Sequence, residues 1–345
     1  MASMDIFNDD AFSLVSMIGA IEKVDYAPNY LGELGIFTKT GVRTETVFIE
    51  ERSNAPALIH TSEPGTAPEA AAPRERRGVR SYTTARFGKG RRINASEVQG
   101  IRAFGTETEL AQVEAEVVQR QSSLKADADF TYEHYRLGVI CQAKMLDADG
   151  SVLYNWSTEF GQAIPEAINF DLTAAAPETG IIRKKCNDLR RTMVKNLKGV
   201  GGTGAGITIH AIVGDDFWDE FVNHSEVIRT YENQQAANQL REGHGGAWET
   251  FRYGNVTWHN YRGSDDGEVG VAADEASFFP IGAGIFQQTN SPLETFDLVN
   301  TVGKEFYSMI VRDKDRNMWA DVEAYARPLF VCTMPSALRK GTVEG

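Results

Sequence analysis

The sequence TETELAQVEAEVVQRQSSLKADADFTYEHYRL, residues 106–137, decides the fold. It opens on Thr106 and Glu109, which match a Ser/Thr-x-x-Glu capping box at a helix start. Apolar residues then recur at gaps of three, four and seven, the spacing of one helix face, and they are Leu110, Val113, Val117, Leu124, Ala128, Tyr132 and Tyr135. About 30 residues at ~1.5 Å each make a rod of about 45 Å. The pattern predicts a single long helix, better suited to the backbone of a plate than to the wall of a pocket.

Composition limits the class of protein. The chain has 345 residues, 42% of them hydrophobic, so it can bury a core, and its net charge of −13 argues against a general nucleic-acid binder. The cysteines Cys141, Cys186 and Cys332 are far apart and unpaired in spacing, which is typical of free thiols in a reducing compartment. The first residues lack a positive leader, and no apolar run approaches the ~18 residues of a membrane span. We expect a soluble protein made inside the cell.

Two strand-like segments precede the helix. β-Branched residues dominate residues 36–49 and recur in 78–87, and a Pro-, Gly- and Ala-rich tip lies between them at 63–73. The segments predict a long protruding hairpin. Because isolated hairpins are marginal in water, this one should pack against something outside itself.

The two arms of the predicted hairpin carry opposite charge. Residues 73–92 contain eight Arg or Lys and one acid, whereas the outgoing arm is mainly acidic. Three interpretations remain open: a solvated charged face, a clasp between neighbouring copies, or, least favoured in so acidic a chain, a DNA-binding patch. The candidate intersubunit contacts are Glu45, Glu50, Glu51, Arg74, Arg76, Arg77 and Arg80.

The segment after the long helix predicts a strand pair, 139–145 and 152–156. The pair flanks Asp147-Ala148-Asp149-Gly150, whose Asp-Gly step is a hairpin signal. Two aspartates suggest calcium, but the remaining EF-hand ligands and the closing Glu are missing. Turn chemistry is the better explanation.

An amphipathic helix with a basic polar face is predicted at 182–197. It runs into 199–204, a G-x-G-x-x-G match. A nucleotide-binding loop needs a strand before it and a helix after it, and here the order is reversed. We interpret the glycines as a helix terminator followed by a strand at 207–213.

The rest of the chain predicts a mixed α/β unit. A helix should carry Phe217 and Phe221, a polar helix should span 226–241, and a hairpin at 251–261 should turn at Gly254-Asn255. Residues 318–333 predict strands that return to the main sheet, and Pro335 should end them, leaving a short tail.

The sequence offers no catalytic constellation. The six histidines lack metal-ligand spacing; His134 should be an exposed helical residue and His210 a hydrogen-bonded buried imidazole. There is no Gly-x-Ser-x-Gly and no conspicuous carboxylate pair. We therefore expect no enzyme activity, no catalytic residue, no cofactor and no metal.

Six motifs in fixed order carry a resemblance. They are IRAFGTETEL (101–110), TYEHYRLG (131–138), LDADGS (146–151), FPIGAGIF (279–286), VNTVG (299–303) and PLFVCTMP (328–335). In this order the chain resembles the major capsid protein E family of lambda-like tailed bacteriophages, over nearly its whole length.

The resemblance implies an α+β chain with the Hong Kong 97-type phage capsid fold. The parts would be an N-terminal arm (1–35), an extended loop (36–98) and a peripheral domain with the spine helix and a strand pair (99–172). An axial α/β domain (173–318) and returning peripheral strands with the C-terminal tail (319–345) would complete it.

The resemblance also implies function. Family members assemble as hexamers and pentamers into an icosahedral shell around double-stranded DNA, with scaffolding, portal and often decoration proteins. The expected location is the virion, after assembly in the host cytoplasm, with scaffold from a separate chain; no crosslinking residues are assigned. The alternatives are a cellular nanocompartment shell of the same fold and a nucleotide-binding enzyme that uses 199–204.

Overall fold

The secondary structure of the computed structural model covers residues 30–51, 78–100, 109–174, 179–200, 206–232, 250–261, 263–264, 269–316 and 318–344. The helices are α1 Tyr30–Glu33, α2 Ala95–Gly100, α3 Glu109–Gln142, α4 Trp156–Glu159, α5 Ile181–Asn196, α6 Asp215–Asn223 and α7 Ser225–Glu232. The strands are β1 Thr38–Gly41, β2 Thr46–Glu51, β3 Gly78–Thr83, β4 Phe87–Asn94, β5 Lys144–Leu146, β6 Val152–Asn155, β7 Ile168–Asn169, β8 Thr208–Val213, β9 Thr250–Tyr253, β10 Val256–Asn260, β11 Glu275–Ile281, β12 Phe286–Asn290, β13 Tyr307–Arg312, β14 Trp319–Ala326, β15 Pro328–Cys332 and β16 Arg339–Thr342. Two 3-10 turns lie at Phe296–Leu298 and Pro335–Ala337.

Helix α3 is the predicted spine. Its 34 residues make a rod of about 50 Å at ~1.5 Å per residue. The predicted apolar face is confirmed from residue 117 onward, where its members are buried: Val117, Leu124, Ala128, Tyr132 and Tyr135. The capping box at Thr106 and the side chains of Leu110 and Val113 lie outside the described residues.

The spine is longer than predicted. The strand expected at 139–145 is wrong for its first four residues, which continue α3 to Gln142. Val139 and Ile140 are fully buried there, so tertiary packing overrides their strand propensity. Gly138 allows β5 to approach, because a Cβ at Gly138 would lie 2.8 Å from the carbonyl oxygen of Lys144.

Three sheets surround the spine. The first, in the order β13-β14-β4, packs on the front half of α3 through Ile93, Val322 and Ala324. The second has six strands in the order β7-β16-β11-β8-β10-β9, and the third is β1-β12-β15. The pairs β2–β3 and β5–β6 each form a separate two-stranded antiparallel sheet.

The residues predicted as one extended loop are divided among the β1-β12-β15 sheet, the β2–β3 hairpin and the β13-β14-β4 sheet. The single strand predicted over 36–49 is wrong: β1 pairs in parallel with β12, and only β2 forms the antiparallel hairpin with β3. The basic segment 87–94 is β4, paired with β14. Gly41 ends β1 in close contact with Gly303, because a Cβ on Gly41 would lie 2.5 Å from the carbonyl oxygen of Gly303.

The described hairpin rests one face on its own subunit. The ring of Tyr82 lies 5.1 Å from Trp156 and 6.3 Å from Phe160 between centroids. Val47 and Ile49, on the same face, also pack against the core. Asn155 begins α4 by accepting the amide of Ser157 at 3.1 Å, which fixes the platform under the hairpin.

The C-terminal segment is a strand rather than a tail. Residues 339–342 form β16, which pairs with β11 and β7 inside the six-stranded sheet, so the predicted short tail after Pro335 is wrong. Gly341 lies between the rings of Phe170 and Phe278, where a Cβ would meet ring carbons at 2.9 and 3.0 Å. Arg-Lys-Gly-Thr has little strand character; its neighbours impose the conformation.

Most other predicted elements are confirmed. Helix α5, strand β8 and helix α6 lie where the periodicity placed them, and the β9–β10 hairpin turns at Gly254 and Asn255, both with positive φ. Strands β14 and β15 match the predicted return. Helix α7 covers the start of the predicted 226–241 helix, whose remainder lies outside the described residues.

A hydrogen-bonded chain attaches α1 to the body. The Tyr30 hydroxyl bonds Nδ1 of His259, whose Nε2 lies 2.8 Å from Nδ1 of His210. The Leu31 amide donates to the buried Glu133 carboxylate at 2.9 Å. Burial lowers the pKa of His210 to about 4 and, with the adjacent imidazole, that of His259 to about 3. His210 is hydrogen-bonded, as expected, but it is half-buried rather than buried. His134 is half-buried against Asp147 O rather than exposed.

Truncation of Trp156 tests the hairpin platform. Trp156→Ala should lower the free energy of unfolding by about 3–5 kcal/mol, because it removes a fully buried indole. Urea denaturation measures the loss. Trp156→Phe is the matched control and should cost much less, since the indole Nε1 has no partner in the described structure. Equal urea midpoints for wild type and the alanine variant would contradict this packing role.

The two imidazoles predict acid sensitivity. Unfolded histidines titrate near 6.5, so below that pH the unfolded chain binds protons that the folded chain refuses, and stability falls as pH drops toward about 4. Each imidazole contributes at most about 1.4 kcal/mol per pH unit.

The matched comparison is His210→Gln with His259→Gln, followed by urea denaturation at pH 7 and pH 5. The variant should lose less stability than wild type over this interval. Burial raises the pKa of Asp129 to about 6 and acts in the opposite direction, but it is common to both proteins. An equal loss in both proteins would show that the imidazoles are not responsible.

Candidate assembly surfaces

Glu45, a predicted intersubunit contact, is engaged within its own chain. Its carboxylate accepts a hydrogen bond from the Arg327 guanidinium at 2.8 Å, and this bond lowers the Glu45 pKa. Arg327 is buried and also pairs with Glu294 at 2.9 Å. The ion pair therefore fixes the start of the hairpin to the body of the subunit.

The remaining candidate contacts lie along the hairpin. The Arg80 guanidinium stands 5.8 Å from the centre of the Phe160 ring, on the inward face. Glu50 and Glu51 lie opposite Val79 and Gly78 in the β2–β3 register. Arg74, Arg76 and Arg77 fall outside the described residues, and so do the side chains of Glu50 and Glu51. Among the candidates with described side chains, Glu45 contacts Arg327 and Arg80 contacts Phe160.

The basic segment does not form one continuous arm. Lys89 and Arg91 bind Asp127 of the spine at 2.8 and 3.3 Å. Arg92 binds Asp321 at 2.8 Å and lies 3.9 Å above the ring of Trp319. The prediction of one basic arm over 73–92 is therefore wrong for its second half. The cations of that half pair with acidic residues on α3 and β14, which are distant in sequence.

An exposed apolar face on the hairpin was missed by the sequence reasoning. Phe48 is 65% exposed and Val79 56% exposed. In the β2–β3 register they lie diagonally on the outer face, opposite the face that holds Tyr82. Val47, Phe48 and Ile49 are all apolar, so the sequence shows no polar–apolar alternation here that would separate the outer face from the inner one.

A second apolar surface lies on the loop after β12. Phe296 is 100% exposed, and Val299 and Val302 are more than half exposed. The loop is nevertheless anchored: Leu298 packs near Tyr307, and the amide of Gly303 donates to Val42 O at 2.8 Å. No pattern in the sequence distinguishes Phe296 from a core residue, although the VNTVG motif lies beside it.

Other candidate sites have structural roles. Asp147 and Asp149 accept amides of their own turn at 2.8 and 2.9 Å, as turn chemistry predicts. Helix α5 gives way to Lys198 and Gly199 with positive φ before strand β8, the reversed order that disfavours a nucleotide loop. Burial raises the pKa of Cys141 to about 11. Among the residues that the structure describes, no group of acidic, cysteine and histidine side chains could hold a metal, and no helix combines the length and apolarity needed to cross a membrane.

Comparison with known proteins gives one consistent result. The chain is 26% identical to the major capsid protein of Pseudomonas phage KPP10 across 91% of this chain and 93% of that protein. It is 24% identical to the major capsid protein of Salmonella phage Felix O1 (isolate Felix O1-VT1), across 95% of each.

Two solved structures show the fold. One is a putative capsid protein of a prophage of E. coli CFT073, with a TM-score of 0.56 and 11% identity, covering 96% of this chain and 98% of that one. The other is the mature capsid of bacteriophage PhiM1, with a TM-score of 0.52 and 9% identity, covering 93% and 89%. The predicted α+β fold of the Hong Kong 97 type is confirmed. The sequence profile for phage major capsid protein E matches residues 13–343, and the chain belongs to that family.

Proposed function

We propose that this protein is the major capsid protein of a tailed bacteriophage and builds the shell of its head. Family membership over nearly the whole chain supports this role. The structural observation that carries it is the pair of exposed apolar surfaces, one around Phe48 on the hairpin and one around Phe296 on an anchored loop. Exposed aromatic residues held on ordered elements are typical of surfaces that a partner covers.

Assembly would stabilise the subunit by burying these surfaces. Apolar area removed from water contributes about 25 cal/mol per Å². Each copy offers both surfaces, so one subunit can make several contacts at once, and weak contacts combine into lasting association. Stability should therefore rise with subunit concentration.

The tip of the hairpin extends the proposal. β2 ends at Glu51, which pairs with Gly78, the first residue of β3. The residues between these two positions include Arg74, Arg76 and Arg77. We propose that these arginines contact a neighbouring copy. Glu50 and Glu51 remain candidates for the acidic side of that contact, whereas Glu45 already has Arg327 as its partner.

The wider organisation follows the family. We propose hexamers and pentamers in an icosahedral shell around double-stranded DNA, assembled in the host cytoplasm with scaffolding, portal and possibly decoration proteins. The division into arm, extended loop, peripheral domain, axial domain and returning strands stays a prediction at the boundaries given above. Megadalton particles from purified protein would support a shell, and ATP binding by a monomer would favour the nucleotide-enzyme alternative.

Charge reversal at the tip tests the clasp. Arg74→Glu, Arg76→Glu and Arg77→Glu together should prevent particle formation and leave the subunit folded, as measured by light scattering and circular dichroism. Lys314→Glu with Arg316→Glu, on an exposed turn, controls for added negative charge. A normal particle yield from the triple variant would eliminate the clasp.

Polar substitution tests the loop surface. Phe296→Ser should change the free energy of unfolding of the subunit by less than about 0.5 kcal/mol, because the ring is already exposed. Particle yield should nevertheless fall, and Phe296→Leu should retain most of it. Wild-type yield from the serine variant, measured by sedimentation, would show that Phe296 takes no part in assembly.

A further inference from the structure

Helix α5 has an exposed basic face. Its opposite side packs in the core through Ile182, Cys186, Leu189 and Met193. The exposed cations are Arg183, Lys184, Arg190, Arg191 and Lys195, together with Lys198 just beyond the end of the helix, and exposed Val194 lies among them. Arg191 pairs with Asp188 of the same helix at 3.2 Å, and the other five make no ion pair with any described residue.

Helix α6 has an exposed acidic face. Asp215, Asp216, Asp219 and Glu220 all point to solvent and form no ion pair within the described structure. Phe217, Trp218 and Phe221 bury the other side, with Phe221 only 4.2 Å from the ring of Trp258 in β10. These contacts fix α6 against the sheet.

Both helices belong to the same rigid unit. Cys186 of α5 touches Gly254 in the β9–β10 turn, where a Cβ would lie 2.7 Å from the Cys186 Cβ. Glu226, just after α6, accepts the amides of Ile182 and Arg183 at 3.0 and 3.2 Å. The unit thus holds two charged helix faces of opposite sign in a fixed relation.

The segregation of charge indicates a protein contact. Surfaces that serve solubility alone tend to intersperse both signs, whereas single-sign faces steer association with a complementary surface. The two faces do not neutralise each other inside one subunit. Every other copy of the chain carries a face of the opposite charge for each of them.

We propose that the basic face of α5 on one subunit binds the acidic face of α6 on the next subunit. The contact joins two different surfaces, so it is heterologous and propagates around a ring, which closes when the rotation permits. This inference rests on the proposed shell function and names one contact that would join the subunits of a ring.

A second copy is a better partner for α5 than nucleic acid. The chain's net charge of −13 would repel a polyanion that extended beyond α5. The four carboxylates of α6 occupy a single helix face, so they can bind α5 without extending over the rest of an acidic subunit.

Reciprocal charge reversal tests the contact. Arg190→Glu with Arg191→Glu should reduce particle yield at least tenfold, and Asp219→Lys with Glu220→Lys should do the same. Circular dichroism and urea midpoints confirm folding, and Arg190→Gln with Arg191→Gln replaces the first variant if it does not fold. Lys314→Glu with Arg316→Glu adds the same charge on an exposed turn and should assemble normally.

Mixing the two reversed variants is the decisive measurement. The glutamates that one variant carries at positions 190 and 191 of α5 then match the lysines that the other carries at positions 219 and 220 of α6, and the unchanged faces match as in wild type. An equal mixture should therefore associate in analytical ultracentrifugation while neither variant does so alone. Normal assembly of either variant, or a mixture that stays monomeric, would overturn the contact. If wild-type protein forms no particles, the proposed function fails; if only the reversals have no effect, this inference alone fails.

Discussion

The structure depends on one uninterrupted helix bound along its length by different sheets. The front half of α3 packs on β4 and β14 through Val117 and Leu124, and the rear half carries Tyr132 and Tyr135 against Phe330 of β15. A rod of about 50 Å that is covered in sections spreads the core over several sheets. Apolar residues such as Phe48 and Phe296 remain outside this core.

Charge is used in two distinct ways in this subunit. On β4 and at the base of the hairpin, cations are paired inside the chain: Lys89 with Asp127 and Arg327 with two glutamates. On α5, Lys185 and Arg191 pair with Asp171 and Asp188. The other four cations of the helix are exposed and make no ion pair with a described residue: Arg183, Lys184, Arg190 and Lys195. The first set of cations fixes β4 and the hairpin to the rest of the subunit, and the second set is available to another molecule.

The sequence predicted what depends on neighbours along the chain. Period and spacing located α3, α5 and the β9–β10 turn, because a helix face or a Gly-Asn step is written within a few residues. It failed where distant segments decide: β1 leaves the hairpin for β12, and β16 is a strand because β11 and β7 pair with it. Among the candidate contacts, Glu45 could not be assigned from sequence because its partner, Arg327, is 282 residues away.

Arg327 also joins two regions that face outward. One guanidinium holds Glu45, where the hairpin begins, and Glu294, which precedes the loop that carries Phe296. A displacement of either region would disturb the ion pair that the other region shares, so Arg327 couples the position of the hairpin to that of the loop.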